Sequence, residues 1–251
     1  MRRPFQGVKN IVRFNWHYYL LSFSFVLLIL LLQNFLPDKL RSATSIGAFL
    51  ICYTIIVSLT VSCYVYDFSS LYRLSWLSTL KFAPNGKVLN VTAGFDETSE
   101  LLKSAYRNGE LFVIDFYNPD KHTEVSIKRA RKRYPAFPGT QQVTTQQLPF
   151  DNNSIDKIFC VLSVHEIRDD NERIIFFKEL RRVLSPEGKL VVVEHLRDTS
   201  NFLAYTVGFF HFHSRKTWHS TFGHSQLGLA REVDITPFIT TFVLEKNGTA
   251  S

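Results

Sequence analysis

Between Leu148 and Arg197 the chain reads LPFDNNSIDKIFCVLSVHEIRDDNERIIFFKELRRVLSPEGKLVVVEHLR, and this stretch limits the fold more than any other. Ile155 to Leu162 is a nearly continuous apolar run of strand length, as expected for a strand covered on both faces. Asp169 to Leu184 places Ile174, Phe177, Leu180 and Leu184 at helical spacing, with Lys178, Glu179, Arg181 and Arg182 between them. Ser185-Pro186-Glu187-Gly188 has the chemistry of a turn, and Leu190 to Val193 reads as a second buried strand. A strand, a helix and a strand in that order form a βαβ unit with parallel strands.

The segments LPFDNNSID, SVHEIRD, ELRRVLSPEGKL and VVVEH together resemble the second half of class I S-adenosylmethionine-dependent methyltransferases, of the methyltransferase type 11-like kind. The resemblance runs from about Lys87 to the end of the chain. It implies an α/β fold with a Rossmann-like seven-stranded methyltransferase sheet, S-adenosyl-L-methionine as cofactor, and methyl transfer as the activity.

Site residues follow from the matching positions. The loop after the first strand reads Asn90-Val91-Thr92-Ala93-Gly94-Phe95-Asp96-Glu97. Gly94 matches a family glycine, Asn90 stands where an acid is usual, and Thr92 and Asp96 replace glycines; Asn90, Thr92 and Gly94 are expected beside the cofactor. An ordinary strand-to-helix turn is the alternative for this loop. Asp115 ends the second strand, where such folds place the acceptor for ribose hydroxyls, with Phe116 next to it. Thr144 and Thr145 stand where the family often has an acid for the adenine amino group, and Leu148 would flank the ring. Ser163, His165, Glu166, Glu194 and His195 end the fourth and fifth strands on the ligand-binding edge. His165 is the first candidate general base and His195 the second; either can instead orient a loop.

Asn118-Pro119 is expected to open a helix running to about Tyr134, Gln141 to Thr145 to form a third strand, and Leu229–Ile235 with Phe238–Glu245 to close the sheet as an antiparallel hairpin. The aromatic stretch Phe202 to His224 reads as a lid over an apolar acceptor. His211, His213, His219 and His224 lack a partner acid or cysteine at ligand spacing there, so no metal site is expected.

Ahead of this domain, Phe14 to Pro37 and Ser42 to Tyr66 carry no formal charge, and each exceeds the roughly 20 residues that cross a bilayer core. The expected organisation is a membrane anchor over 1–66, with helices at about 15–36 and 44–66, an interfacial helix and linker over 67–86, and the methyltransferase-like domain over 87–251. A buried hairpin of a soluble protein is the alternative. Arg2, Arg3, Lys9 and Arg13 before the first run, with Arg73, Lys81 and Lys87 after the second, favour both ends on the cytoplasmic side, at the inner membrane if the cell is bacterial.

The net charge of +7 beside two such runs suits anionic lipid head groups better than nucleic acid, since no aromatic platform interleaves with the Lys128–Arg133 cluster. The three cysteines offer neither a metal spacing nor a disulfide framework. The expected partners are a lipid bilayer and an apolar small-molecule acceptor. A nicotinamide oxidoreductase would need G-x-G-x-x-G after the first strand, which is absent. A methyltransferase-like membrane scaffold without cofactor is the other rival.

Overall fold

The computed structural model describes residues 3–80, 82–122 and 124–246. Arg2 and Lys81, counted in the charge argument, lie outside the described residues.

Two long helices lead: α1 (Gln6–Leu32) and α2 (Asp38–Cys63), packed on each other, with α2 continuing as a π-turn over Tyr64–Phe68. Both are long and apolar enough to cross a membrane, and 0% and 11% of their most apolar windows are buried. The apolar side chains of the pair are therefore mostly exposed rather than packed in the core of the domain.

The first helix starts earlier than the sequence suggests. Residues Gln6 to Asn15 lie against the domain, and at Asn15 the backbone leaves helical geometry (φ −113°, ψ 16°). The Asn15 side-chain amide donates to the Ile11 carbonyl at 3.0 Å, a local bond that competes with the helix ladder. The amides of Gly7 and Val8 donate to the Asp67 carboxylate at 2.7 and 2.9 Å, satisfying donors that no intrahelical acceptor reaches. Gly7 is required at this crossing, because a Cβ there would stand 2.4 Å from Cβ of Tyr66.

Seven strands then form one sheet in the order β3-β2-β1-β4-β5-β7-β6. They are β1 (Asn85–Thr92), β2 (Asn108–Asp115), β3 (Gln141–Gln142), β4 (Ile155–Val161), β5 (Leu184–Glu194), β6 (Leu227–Thr236) and β7 (Ile239–Lys246). β1 to β5 pair in parallel, and β7 runs antiparallel to both β5 and β6, as the expected closing hairpin requires. Strand order reverses at β1, so the crevice beyond the carboxyl ends of β1 and β4 is the topological switch point. The fold expected from the sequence is present.

Five further helices complete the described domain besides the short α3 (Leu77–Leu80): α4 (Ser99–Ala105), α5 (Val125–Arg133), α6 (Asp170–Val183), α7 (Thr199–Tyr205) and α8 (Arg215–His224). On one face α6 and α8 bury Phe176, Phe177, Leu180, Trp218 and Phe222; on the other, α4 and the segment leaving α2 bury Leu102, Tyr106, Val65, Leu71, Leu74 and Trp76. Both faces of the parallel strands are covered, which is why those strands read as unbroken apolar runs.

Several local expectations change. Leu71, Leu74 and Trp76 are buried as an apolar stripe would be, yet only Leu77–Leu80 is helical, and Leu74 has φ 54°. The helix expected from Asn118 begins at Val125, because the Asn118 side chain and the His122 ring instead cap a turn through the amides of Asp120 and Asn118. The third strand shortens to two residues. Ser185–Gly188 does not end the element before β5: the register jumps from Ile155–Leu184 to Lys157–Lys189, so these residues form a bulge within the strand. The buried stripe of α6 includes Arg173 rather than Ile174.

Candidate active site

The loop after β1 is tied down by its own polar side chains. The Asn90 amide, fully buried, donates to the hydroxyls of Thr98 and Ser99 at 2.9 and 2.8 Å. Asp96 accepts from the amides of Thr98 and Ser99, both at 2.9 Å, and so closes the turn into α4. The Thr92 hydroxyl donates to the Ile114 carbonyl. Asparagine, threonine and aspartate thus replace family residues here by building an internally bonded loop. Gly94 keeps a left-handed backbone (φ +89°), and a Cβ there would press on the side chains of Arg131 and Tyr117 at about 3.0 Å.

Asp115 ends β2 on the same edge. It accepts from the Tyr117 amide at 2.9 Å and is paired with Arg131, whose guanidinium lies over the Tyr117 ring. Arg131 therefore covers the carboxylate that ribose hydroxyls would use. Its side chain is about one-third exposed and can swing into solvent. Phe116 points into the core against Phe176. Thr144 is exposed, the Thr145 hydroxyl donates to Glu172 at 2.6 Å, and the Leu148 amide donates to Glu179 at 2.9 Å.

Three buried polar atoms on this edge lack a partner: Oδ1 of Asn90, Oδ2 of Asp96 and the hydroxyl of Ser163. Orphaned acceptors and a hydroxyl around a left-handed glycine, with a carboxylate one strand away, fit the polar half of an adenosyl ligand once Arg131 withdraws.

The part of α1 on the domain closes the edge from above. Phe14 packs edge-on against Phe95 and Tyr134 at 5.6 and 6.3 Å, and Tyr134 donates to the Asn10 side chain at 2.9 Å. Gln6 and Tyr72 both donate to Glu97, at 3.2 and 3.1 Å. None of these contacts was legible in the sequence, since they join segments far apart along the chain.

Beyond β4 and β5 the two histidines differ in charge state. Nδ1 of His165 lies 2.6 Å from Glu194, whose other oxygen accepts from the amides of Ser163 and His165. Its Nε2 lies 3.3 Å from Glu166. Burial alone would lower the His165 pKa, but the two carboxylates outweigh it and hold it at about 10. Burial likewise favours neutral Glu166, yet bonds from His165 and His211 keep it well below the carboxylate range.

His195 is the opposite case. Its Nδ1 faces Oδ1 of Asn201 at 3.0 Å, and the Asn201 amide nitrogen is engaged with Asp198 and the Phe238 carbonyl. That network assigns the proton to Nδ1, leaving Nε2 to accept from the Tyr66 hydroxyl at 2.8 Å. The ring stacks on Phe212 at 4.6 Å and meets Tyr205 edge-on. Burial first, aided by charge on His165, pushes its pKa down to about 4, against the raising effect of Asn201. His195 is thus the neutral imidazole near pH 7 and His165 the charged one.

Comparison with known proteins agrees with this architecture. Residues 89–192 match the methyltransferase domain family. A ubiquinone/menaquinone biosynthesis C-methyltransferase of Geotalea daltonii is 26% identical over 125 residues, 49% of this chain and 51% of that protein. The chain thus spans about half the length of the curated relative it matches. Among solved structures, a SAM-dependent methyltransferase of Aquifex aeolicus superposes with TM-score 0.52 at 18% identity, covering 72% of this chain and 94% of that one. A Pyrococcus horikoshii protein gives TM-score 0.51 at 17% identity over 69% and 88%. In sequence over residues 89–192 the domain that follows the two apolar helices is thus similar to the methyltransferase domain family, and in fold it is similar to S-adenosylmethionine-dependent methyltransferases.

Proposed function

We propose that this protein transfers a methyl group from S-adenosylmethionine to a small apolar acceptor drawn from a membrane in which α1 and α2 are anchored. The observation that carries the reading is the bond between Tyr66, at the end of the second apolar helix, and His195, at the carboxyl end of β5. It sets the reactive edge of the sheet directly against the helix pair.

The surface around it is apolar. α7 packs on α2, and Phe202, Leu203, Val207 and Phe210 stand 47%, 67%, 79% and 62% exposed along α7 and the turn after it. An exposed ridge continuous with two apolar helices suits burial at a bilayer surface. The relative's name places that protein in ubiquinone and menaquinone biosynthesis, and a quinone-type acceptor fits the ridge proposed here.

S-adenosylmethionine supplies a methyl group already activated on a sulfonium. Asp115, Gly94 and the loop amides would hold its polar half, and Leu148 would flank the adenine. The remaining task of the chain is alignment, which can contribute roughly 7–11 kcal/mol to lowering the barrier. In this reading His195, neutral and accepting from the Tyr66 hydroxyl, takes up the proton that the acceptor releases, relayed through that hydroxyl.

The test is to incubate the detergent-solubilised protein with methyl-labelled donor and a total lipid extract. Label in the lipid phase, reduced in Leu203→Asp and Phe210→Asp with cofactor binding unchanged, supports the reading. Cofactor binding without label in any lipid would contradict the membrane acceptor.

A further inference from the structure

Beyond β4 three side chains converge in an arrangement that alignment and proton uptake leave unexplained. His165 and Glu166 sit on a short 3-10 turn over Val164–Glu166, and His211 follows α7. One ligand atom from each lies within 4.8 Å of the other two, the one such group among the described residues. Nε2 of His165 and Nε2 of His211 stand 3.3 and 3.6 Å from the same Glu166 oxygen.

The backing of the two rings matters as much as their spacing. Nδ1 of His165 meets Glu194 at 2.6 Å, and Nδ1 of His211 meets Glu124 at 2.7 Å. Nδ1 of each imidazole thus faces a carboxylate, and Nε2 faces Glu166. Carboxylate–histidine pairs of this kind orient ligands behind metal ions and raise their basicity. A metal ion would take the place of the proton on Nε2 of His165. Nitrogen-to-oxygen distances of 3.3 and 3.6 Å, with all three ligand atoms within 4.8 Å, suit a shell with bonds of about 2.0–2.2 Å. Arg168 donates to the His211 carbonyl, contacts both nitrogens of the His211 ring, Nε2 at 3.1 Å, and lies 3.7 Å from Glu124; an ion can enter only when this 41% exposed side chain swings away. An open pocket lined by Glu124, Arg197, Phe210 and His211 adjoins the cluster.

We propose that His165, Glu166 and His211 bind one divalent transition-metal ion, whose remaining positions face this pocket and take an acidic oxygen of the acceptor. Two imidazoles and one carboxylate with open positions favour zinc, manganese or ferrous iron over magnesium. The metal site stands on the cluster alone; its use toward an acceptor oxygen rests on the methyl-transfer reading.

The experiment uses the full chain in detergent, stripped with chelator and titrated calorimetrically with zinc and manganese, and with magnesium as control. One transition-metal ion per chain is expected, with weak magnesium binding. His211→Ala, a substitution at a partly exposed ring, should weaken binding by about a hundredfold or more, and Glu194→Gln by roughly 10–100-fold at unchanged stoichiometry. Acetohydroxamate, an oxygen chelator, should bind the loaded protein and lose about tenfold or more in affinity on the stripped one. Failure of folded wild type to bind either ion, or equal binding by His211→Ala, overturns the site. Equal acetohydroxamate binding with and without metal overturns its use toward an oxygen ligand. S-adenosylhomocysteine binding in the same preparations separates the two readings: kept while the metal is not bound, it sinks only the metal site.

Discussion

The hydroxyl of Tyr66 lies 2.8 Å from Nε2 of His195, joining the last turn of the second apolar helix to the end of β5. A proton moving along this pair would couple the carboxyl edge of the sheet to the second apolar helix. Tyr66→Phe keeps the ring and its packing on His195 and removes only the hydroxyl. Methyl transfer is expected to fall about a hundredfold, with S-adenosylhomocysteine affinity unchanged. Single-turnover kinetics alongside calorimetry would check both.

His195 also sets a pH signature. Its folded pKa of about 4 lies below the 6.5 of a free histidine, so the unfolded chain binds more protons between those values. Its contribution is complete above pH 6.5 and is lost as pH falls through 4, amounting to roughly 3 kcal/mol. Urea unfolding across pH 4 to 7 should show that loss, and His195→Phe should flatten it. If His195 is the base, the rate should also show no ascending limb near pH 6.5.

Arg131 is paired with Asp115, the carboxylate proposed to hold the cofactor ribose. Arg131→Ala should therefore tighten cofactor binding by roughly two- to fivefold, the size of a partly exposed ion pair worth about 0–1 kcal/mol. Titration of both proteins with S-adenosylhomocysteine measures it; weaker binding in the variant would mean that Arg131 holds the cofactor instead of covering its site.

Two substitutions separate capping from core packing. The Asp169 carboxylate accepts from the Glu172 amide at 2.7 Å and caps α6, so Asp169→Ala should cost about 1 kcal/mol. Trp218 is fully buried against Phe177 and Phe222, so Trp218→Ala should cost about 3–5 kcal/mol. Denaturant midpoints give both values.

The parts of this fold legible in the sequence are those set by local pattern. The runs around Ile158 and Val192 announced parallel strands, and the alternation of charge and apolar residues after Asp169 announced α6. Arg173 escaped because its charge suggested an outward face. It is buried on Trp218, satisfied by Thr221 at 3.0 Å and the Ile167 carbonyl at 3.1 Å. The position of Asp115 followed from strand order, but its ion pair with Arg131 did not, since sixteen residues separate them. The cluster of His211 with His165 and Glu166 escaped for the same reason: ligand spacing was sought within one segment, and the acid came from another strand end. The placing of Gln6 to Asn15 over the Phe95 loop had no periodic signal, because the apolar run that follows dominates the pattern.

The most direct measurement is a calorimetric titration of S-adenosylhomocysteine into the detergent-solubilised full chain and its Asp115→Ala variant. The account predicts binding in the range of about 1–100 μM for the wild type, lost in the variant while its unfolding midpoint stays near that of the parent. A folded wild-type protein that binds nothing at millimolar ligand, or a variant that binds equally well, would contradict it.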